Sequence, residues 1–407
     1  MTAAGQLEKL RALFEALRSN AFYATKLRGV ENISDLACFF KNVPFTTKRE
    51  LIEDQHARPP YGSNLTYPPD RYTRFSQTNG TTGTPLRWLD TAESWEWMIG
   101  NWTRVFEASG VRAGDRIFFA FSFGPFLGFW VAFDAATRMG CLAIPGGGMR
   151  SSARLRAILD NGVTILCCTP TYAIRLGESA EEENFPQTQV RRIIVAGEPG
   201  GSIRSTQARI EQLWPGARVA DHHGMTETGP VSYACPARER VLHVIESSYL
   251  AEVIDPATGA AASKGELVLT NFGRVGSPLI RYRTGDIVER GPAGRCACGS
   301  DDLSLEGGIL ARTDDMIVVR GVNLYPSAIE DVVRSCDGIA EYRVEIRTER
   351  ALSELRIQVE PAASDATLTH RLELALRDAF GLRIPVSTVS AGSLPRFEMK
   401  AQRWIRL

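Results

Sequence analysis

Between residues 116 and 221 the sequence alternates short apolar runs with amphipathic stretches, a pattern that few folds accept. "RIFFAF", "CLAIP", "VTILCC", "RRIIVAG" and "ARVAD" read as strands, while "FWVAFDAATRMG", "SARLRAILDNG", the stretch after Tyr172 and the region 206–213 read as helices. Runs this short and this uniformly apolar have no polar face to turn to water. They predict an α/β fold whose large N-terminal domain holds a parallel sheet flanked by helices on both sides.

After Pro230 the character changes to β-branched runs broken by turns, such as "LAEVIDPATG" and "GELVLTNF", predicting a β-rich subdomain over about residues 231–300. From 301 to 314 no element is evident. Beyond lie "MIVVRG", "YPSAIEDVVRS", "EYRVEIRT", "ELRIQVE" and "RLELALRDAF", a fresh mixture of strands and helices. The expected division is an N-terminal domain of residues 1–313 and a small, mobile α+β C-terminal domain of residues 314–407, of ordinary domain size.

Composition excludes several classes of partner. Lys plus Arg equals Asp plus Glu at 47 each, which argues against nucleic acid and against a polybasic membrane contact. The opening "MTAAGQLEKLRALFEALRSN" lacks the basic-then-apolar run of an export signal and predicts a cytoplasmic location. No apolar stretch approaches the ~20 residues of a spanning helix. The eight cysteines are therefore expected as reduced thiols or metal ligands, with Cys167 and Cys168 as core residues of a strand.

"TNGTTGTP", residues 78–85, gathers hydroxyls and glycines in one place. Backbone N–H groups can face an anion where no Cβ intervenes, and hydroxyls can donate to phosphate oxygens. Thr78, Gly80, Thr81, Thr82 and Gly83 meet that need, although the spacing is not that of the ordinary P-loop. Taken alone, the stretch fits a phosphate cradle and a Ser/Thr turn equally well.

Four further segments follow in a fixed order: "HHGMTETG" (222–229), "RYRTGD" (281–286), "ARTDDMIVVRGVNLYPSAIE" (311–330) and "LPRFEMKAQR" (394–403). With the first stretch, these make the chain resemble acyl-adenylate-forming enzymes over nearly its full length. "VPFTTKREL" (43–51), "LCCTPTYAIRL" (166–176), "AGEP" (196–199) and "RGVNLYPSAIE" make it similar, within that superfamily, to phenylacetate–CoA ligases and related aryl-acid ligases. The resemblance implies ATP-dependent activation of an aromatic carboxylic acid to an aryl-AMP with release of pyrophosphate. Transfer to coenzyme A follows, with Mg²⁺ as the accompanying ion.

It also implies residue roles. Thr78, Gly80, Thr81, Thr82 and Gly83 would wrap the β- and γ-phosphates, Thr226 would lie by the α-phosphate, and Glu227 would bind Mg²⁺, a hard cation that prefers carboxylate oxygen. His223 stands where an aromatic residue usually flanks adenine. Asp286 would accept from both ribose hydroxyls and Arg312 would also contact the ribose. Asp314 would be the hinge and Lys400 the catalytic ammonium that stabilises charge developing on the carboxylate and α-phosphate. The sequence departs from the family pattern at Thr84, where a lysine is usual, and at Ala311 and Met399, where glycine is usual. Arg87 is a candidate to replace the missing cation.

"AGEP" follows an apolar strand, which puts Gly197, Glu198 and Pro199 at the carboxyl edge of the sheet, where backbone would line the adenine site. Phe123, Tyr172 and Gly224 are the candidates for the acyl pocket, because a flat apolar acid needs aromatic walls and clearance. Cys235, His243, Cys296 and Cys298 offer three thiolates and an imidazole, a tetrahedral set for a structural Zn²⁺. Two alternatives stay open: an adenylating enzyme that loads the phosphopantetheine of a carrier protein, and a non-catalytic nucleotide- or acyl-binding protein on the same scaffold.

Overall fold

The computed structural model describes residues 2–30, 32–78, 85–313, 315, 317–319, 322–349, 352–397 and 401–407. Five parallel strands form the central sheet, in spatial order Leu142–Pro145, Arg116–Phe119, Ile165–Cys168, Arg192–Val195 and Arg218–Asp221. The order reverses between the first strand in sequence, Arg116–Phe119, and the third, Ile165–Cys168, which is where open α/β sheets offer a crevice at their carboxyl ends.

Side chains alternate across each strand, and here both sets are buried. Ile117, Phe119, Ile165, Cys167, Ile194 and Ala220 pack against the helices Ala92–Ala108 and Leu127–Arg138. Phe118, Leu166, Cys168, Ile193, Val195 and Val219 pack on the other face, against Ser151–Asp160, Pro170–Glu182 and Arg204–Leu213. This two-sided burial is why the strands contain no polar alternation. Cys167 and Cys168 fall on opposite faces, both fully buried, and burial pushes both thiols well above the usual cysteine range.

The β-rich part comprises an antiparallel sheet in the order Tyr249–Ile254, Lys264–Asn271, Tyr282–Glu289 and Ala311–Arg312, and a three-stranded one of Ser232–Ala234, Val241–Val244 and Ser304–Glu306. The "DPATG" turn joins the first two strands through Asp255, whose Oδ1 accepts from the N–H groups of Ala257 and Thr258. Ser304–Glu306 and Ala311–Arg312 lie where no element is evident in the sequence. They are three and two residues long, too short to show a period.

Residues from Ile317 onward build their own core. Helices Pro326–Ser335 and Leu368–Phe380 cover a sheet in the order Val386–Thr388, Leu352–Pro361, Ile339–Glu349 and Trp404–Arg406. The last strand runs parallel to Ile339–Glu349, with Val344 opposite Trp404. It ties the segment after residue 400 to the body of this core. No helix among the described residues is long and apolar enough to cross a membrane.

Candidate active site

The carboxyl ends of the sheet strands carry the segments singled out in the sequence. Strand Arg218–Asp221 runs into His222 and His223, then into a tight hairpin in which Gly224–Met225 pairs with Gly229–Pro230. Thr226 and Glu227 sit at its tip. A Cβ on Gly224 would lie 2.9 Å from the carbonyl oxygen of Gly229, so this glycine is required by the hairpin's own close pairing.

The hairpin is braced from behind by a residue the sequence reading missed. Arg274, 0% exposed, donates through one NH to the carbonyls of Thr226 (2.6 Å) and Glu227 (2.9 Å). Its Nε and other NH form a fork on Asp90, also 0% exposed, at 2.6 Å each. The Trp88 ring lies against the guanidinium, 5.1 Å from centroid to Cζ. Tyr249 Oη adds contacts to the carbonyls of Thr228 and Pro230. In the sequence Arg274 is a lone basic residue in "NFGRVG", with no spacing to mark it.

Glu227 is buried and faces Lys48, whose Nζ lies 3.1 Å from Oε1. Lys48 opens the helix Lys48–Ala57, whose start is fixed by a reciprocal capping box between Thr47 and Glu50. The preceding residues dock on "RYRTGD": Thr46 N–H donates to the Arg281 carbonyl, and Arg283 N–H to that of Thr46. Two of the segments that carry the family resemblance thus bind each other.

Asp286 is buried within a strand, with one oxygen on His223 Nε2 (2.9 Å) and the other on Arg312 (2.7 Å). Burial works to raise its pKa, but the hydrogen bonds and charges of His223 and Arg312 outweigh it and hold the carboxyl below the usual range. The other ring nitrogen of His223 is buried without a hydrogen-bond partner among the described residues. His222 stacks on Trp102 at 4.2 Å and gives Nδ1 to the Ser232 carbonyl; burial drives its pKa down to about 3, so it is neutral. Three residues expected at the nucleotide, His223, Asp286 and Arg312, are therefore joined in one cluster.

Gly197 takes a φ of +94°, which turns the chain sharply after strand Arg192–Val195. Glu198 then points its carboxylate at two backbone donors: Thr171 N–H at 2.8 Å and Ala401 N–H at 2.8 Å. Pro199 is exposed at the same edge. Thr78 pairs with Leu86 through both backbone and side chain, its Oγ1 accepting from Leu86 N–H at 3.0 Å. It closes the neck between the paired strands Tyr72–Gln77 and Arg87–Thr91. Arg87 donates to the carbonyl of Pro60. Gly80, Thr81, Thr82, Gly83 and Thr84 lie outside the described residues, as do Asp314, Met399 and Lys400.

The acyl-pocket expectations divide. Phe123 is partly exposed beyond strand Arg116–Phe119, with ring centroids 5.1 Å from Phe121 and 4.8 Å from Trp130. Tyr172, 0% exposed, lies inside the core on the inner side of helix Pro170–Glu182, its hydroxyl bonded to Ser151 and the Arg154 guanidinium over its ring. Thr169 caps the helix and Pro170 opens it, a geometry that turns Tyr172 into the sheet.

Cys235, His243, Cys296 and Cys298 converge, their ligand atoms all within 4.8 Å of one another. Sγ of Cys235 and Cys296 are 3.7 Å apart, and Sγ of Cys298 is 3.5 Å from His243 Nε2. His243 Nδ1 bonds to the Asp302 carbonyl, leaving the Nε2 lone pair for the thiols. Against the cost of burial, the Cys298 N–H and neighbouring groups draw the Cys296 thiol down to about 6.

Known proteins share this architecture. The phenylacetate–coenzyme A ligase of Thermus thermophilus is 28% identical over 401 residues, spanning 91% of this chain and 86% of its own. That of Pseudomonas putida is 28% identical over 97% of this chain and 92% of its own. A crystal structure of 2-hydroxyisobutyryl-CoA ligase in the postadenylation state with 2-HIB-AMP matches at a TM-score of 0.89, with 27% identity over 99% of this chain and 89% of that one. The same ligase with 2-HIB-AMP and CoA in the thioesterification state matches at 0.70, with 28% identity and the same coverage. The model of the AMP-binding enzyme family matches residues 43–272, and that of the AMP-binding enzyme C-terminal domain matches residues 321–406. The chain is similar to phenylacetate–CoA ligases and belongs to the AMP-binding enzyme family.

Proposed function

We propose that this AMP-forming acid–CoA ligase activates an aromatic carboxylic acid. The acid's carboxylate attacks the α-phosphate of ATP, pyrophosphate leaves, and the thiol of coenzyme A then attacks the acyl carbon and displaces AMP. The observation that carries the reading is the Asp286 cluster set beside the Thr226–Glu227 hairpin, at the carboxyl edge of a sheet matching adenylate-bound ligases.

On this reading Asp286 exchanges its two present partners for the ribose hydroxyls, with Arg312 remaining alongside. His223 flanks adenine, and its unpartnered ring nitrogen supports that role. The backbone of Gly197, Glu198 and Pro199 lines the base, and Thr226 meets the α-phosphate. Thr78 anchors the neck of the phosphate-wrapping segment that includes Gly80, Thr81, Thr82 and Gly83. Lys400 supplies the ammonium that neutralises charge between carboxylate and phosphorus. Phe123 and Gly224 border the acyl group. Residues 1–313 act as the body and 314–407 as the cap, turning at Asp314 between the two half-reactions. The higher TM-score against the postadenylation state than against the thioesterification state supports the view that the cap stands in the adenylation arrangement.

Two metals are part of the proposal. For Mg²⁺ the donor chemistry fits: Glu227 is a single buried carboxylate already facing a cation, and one carboxylate with phosphate oxygens is what this ion takes. Bound there, it would neutralise phosphate charge. For Zn²⁺, a tetrahedron with Zn–S of about 2.3 Å and Zn–N of about 2.0–2.1 Å requires S···S near 3.8 Å and S···N near 3.5 Å. The observed 3.7 and 3.5 Å fit. Cys235, His243, Cys296 and Cys298 would hold it far from the chemistry, as a staple of the β-rich part.

The test is ATP–pyrophosphate exchange across benzoates, aminobenzoates, hydroxybenzoates and phenylacetates, with 2-hydroxyisobutyrate as the aliphatic arm. An aromatic acid should drive exchange, and adding coenzyme A should yield its thioester by mass. Lys400→Ala should abolish exchange while leaving the fold intact. Exchange with the aliphatic acid alone would overturn the substrate class, and silence with every acid would overturn adenylation.

A further inference from the structure

Glu198 holds a backbone amide from the far end of the chain. We infer that its side chain is a positioning residue for the first half-reaction: it latches the segment carrying Lys400 onto the sheet edge for adenylation and releases it for thioester formation. This rests on the two-step reading above, and it gives the Glu198 carboxylate a role distinct from any backbone contact with the nucleotide.

One carboxylate oxygen accepts from Thr171 N–H, in the first turn of helix Pro170–Glu182. A helix start presents unpaired N–H groups and a positive dipole end, so this oxygen is held whatever the C-terminal part does. The other oxygen is then aimed outward, and it accepts from Ala401 N–H at 2.8 Å, across 203 residues of sequence. That N–H belongs to the planar peptide linking residues 400 and 401, so a bond to it constrains the plane that also carries the Cα of Lys400. Three residues on, Trp404–Arg406 enters the C-terminal sheet, so the latch acts on that whole body as well as on the segment.

The neighbouring contacts are weaker or lie elsewhere. Arg403 reaches Thr171 Oγ1 at 3.4 Å but is committed to Glu341 at 2.7 Å. Ser205 bonds Asp331 at 2.7 Å, on the helix Pro326–Ser335 rather than on the Lys400 segment. Among the described residues, it is Glu198 that accepts from the Ala401 N–H, beside residue 400. Any rotation of the C-terminal part about residue 314 must break it, because Glu198 is fixed to the large sheet by Thr171.

The experiment compares wild type with Glu198→Ala and Glu198→Gln in each half-reaction. Loss of a hydrogen bond to a charged group should slow ATP–pyrophosphate exchange by roughly ten- to a hundredfold. Thioester formation from supplied aryl-adenylate and coenzyme A should change by less than about twofold. Glutamine keeps only one accepting oxygen, so it should behave like alanine. If both half-reactions fall together, or if only KM for ATP rises, the latch is wrong. Hydrogen exchange of the Ala401 amide, measured without substrates, gives an answer independent of chemistry. It should be protected in wild type and at least tenfold faster in Glu198→Ala; equal rates overturn the inference. Protection that depends on Glu198 in a protein that adenylates no acid would leave the latch standing and the two-step reading refuted.

Discussion

Asp90→Asn is a sharp test of how the hairpin that carries Thr226 and Glu227 is held. Asparagine preserves the shape, but it removes the charge opposite Arg274 and turns one acceptor into a donor facing the guanidinium. Both partners are fully buried, so the arginine is left without compensation, at a cost of about 3–5 kcal/mol. At a few degrees per kcal/mol, this lowers the thermal midpoint by roughly 5–10 °C. Removing both charges with Asp90→Leu/Arg274→Met costs less than the two single changes together, because no charge is stranded. The double variant still loses about 1–3 kcal/mol for each carbonyl, of Thr226 and Glu227, left without its donor. Urea unfolding of the four proteins gives the coupling energy, which should exceed about 1 kcal/mol. The folded Arg274→Met variant should also lose pyrophosphate exchange at least tenfold. Additivity within about 0.5 kcal/mol, or full activity in that variant, would show that the hairpin holds itself and would refute this account.

Protein purified without chelator should contain about one zinc per chain, and Cys298→Ser or chelation should lower the unfolding midpoint without slowing pyrophosphate exchange at low temperature; a stoichiometry near zero would leave the four residues as three thiols and an imidazole without a metal. Glu360 should govern part of the acid limb of stability. Its pKa is depressed to about 2, led by the Arg396 hydrogen bond and aided by the N–H groups of Gly392 and Leu394. A depressed carboxylate stabilises the fold above its ordinary value near 4.5, and that contribution fades as pH falls from there toward 2. Glu360→Gln should flatten the loss of stability across this window, and an unchanged acid limb would mean that the group does not couple to folding.

What the sequence made legible, and what it did not, follows from the range of each interaction. The central strands could be read because each residue of "RIFF" or "ILCC" meets a helix on one face or the other, so burial imprints a continuous apolar run. The Asp286 cluster was legible by likeness, since its members lie in recognisable segments. Partnerships between segments were hidden. Asp90 and Arg274 are 184 residues apart, and no spacing rule links them. Lys48 stands in a resembling segment, yet its approach to Glu227 depends on how one helix start docks on the strand Tyr282–Glu289. Tyr172 shows a different ambiguity. An aromatic ring with a hydroxyl suits a pocket wall and suits a core site with a hydroxyl partner such as Ser151, and the sequence alone does not distinguish the two.

Every acidic side chain near the nucleotide site is already paired: Asp286 with His223 and Arg312, Glu227 with Lys48, Glu198 with two N–H groups. An unpaired buried carboxylate would shed its charge by taking up a proton, and it would then be unfit to receive ribose hydroxyls or a metal ion. His223 and Arg312 hold the Asp286 carboxyl below the usual range, so entry of a ligand there exchanges one partner for another and strips no bare charge of water. The same logic extends along the segment around residue 400. Glu360 gathers Gly392, Leu394 and Arg396 on one side of it, and Glu198 and Glu341 take Ala401 and Arg403 on the other. Of these carboxylates Glu360 and Glu341 belong to the C-terminal core and travel with it, whereas Glu198 belongs to the large sheet. A rotation of the C-terminal part therefore leaves the segment's internal clamps intact and breaks those that cross between the two bodies, Ala401 to Glu198 and the longer Arg403 to Thr171. On the proposed two-step reading, the cost of opening is concentrated in a small number of polar contacts rather than spread through an apolar core, which is what an interface that opens in each turnover requires.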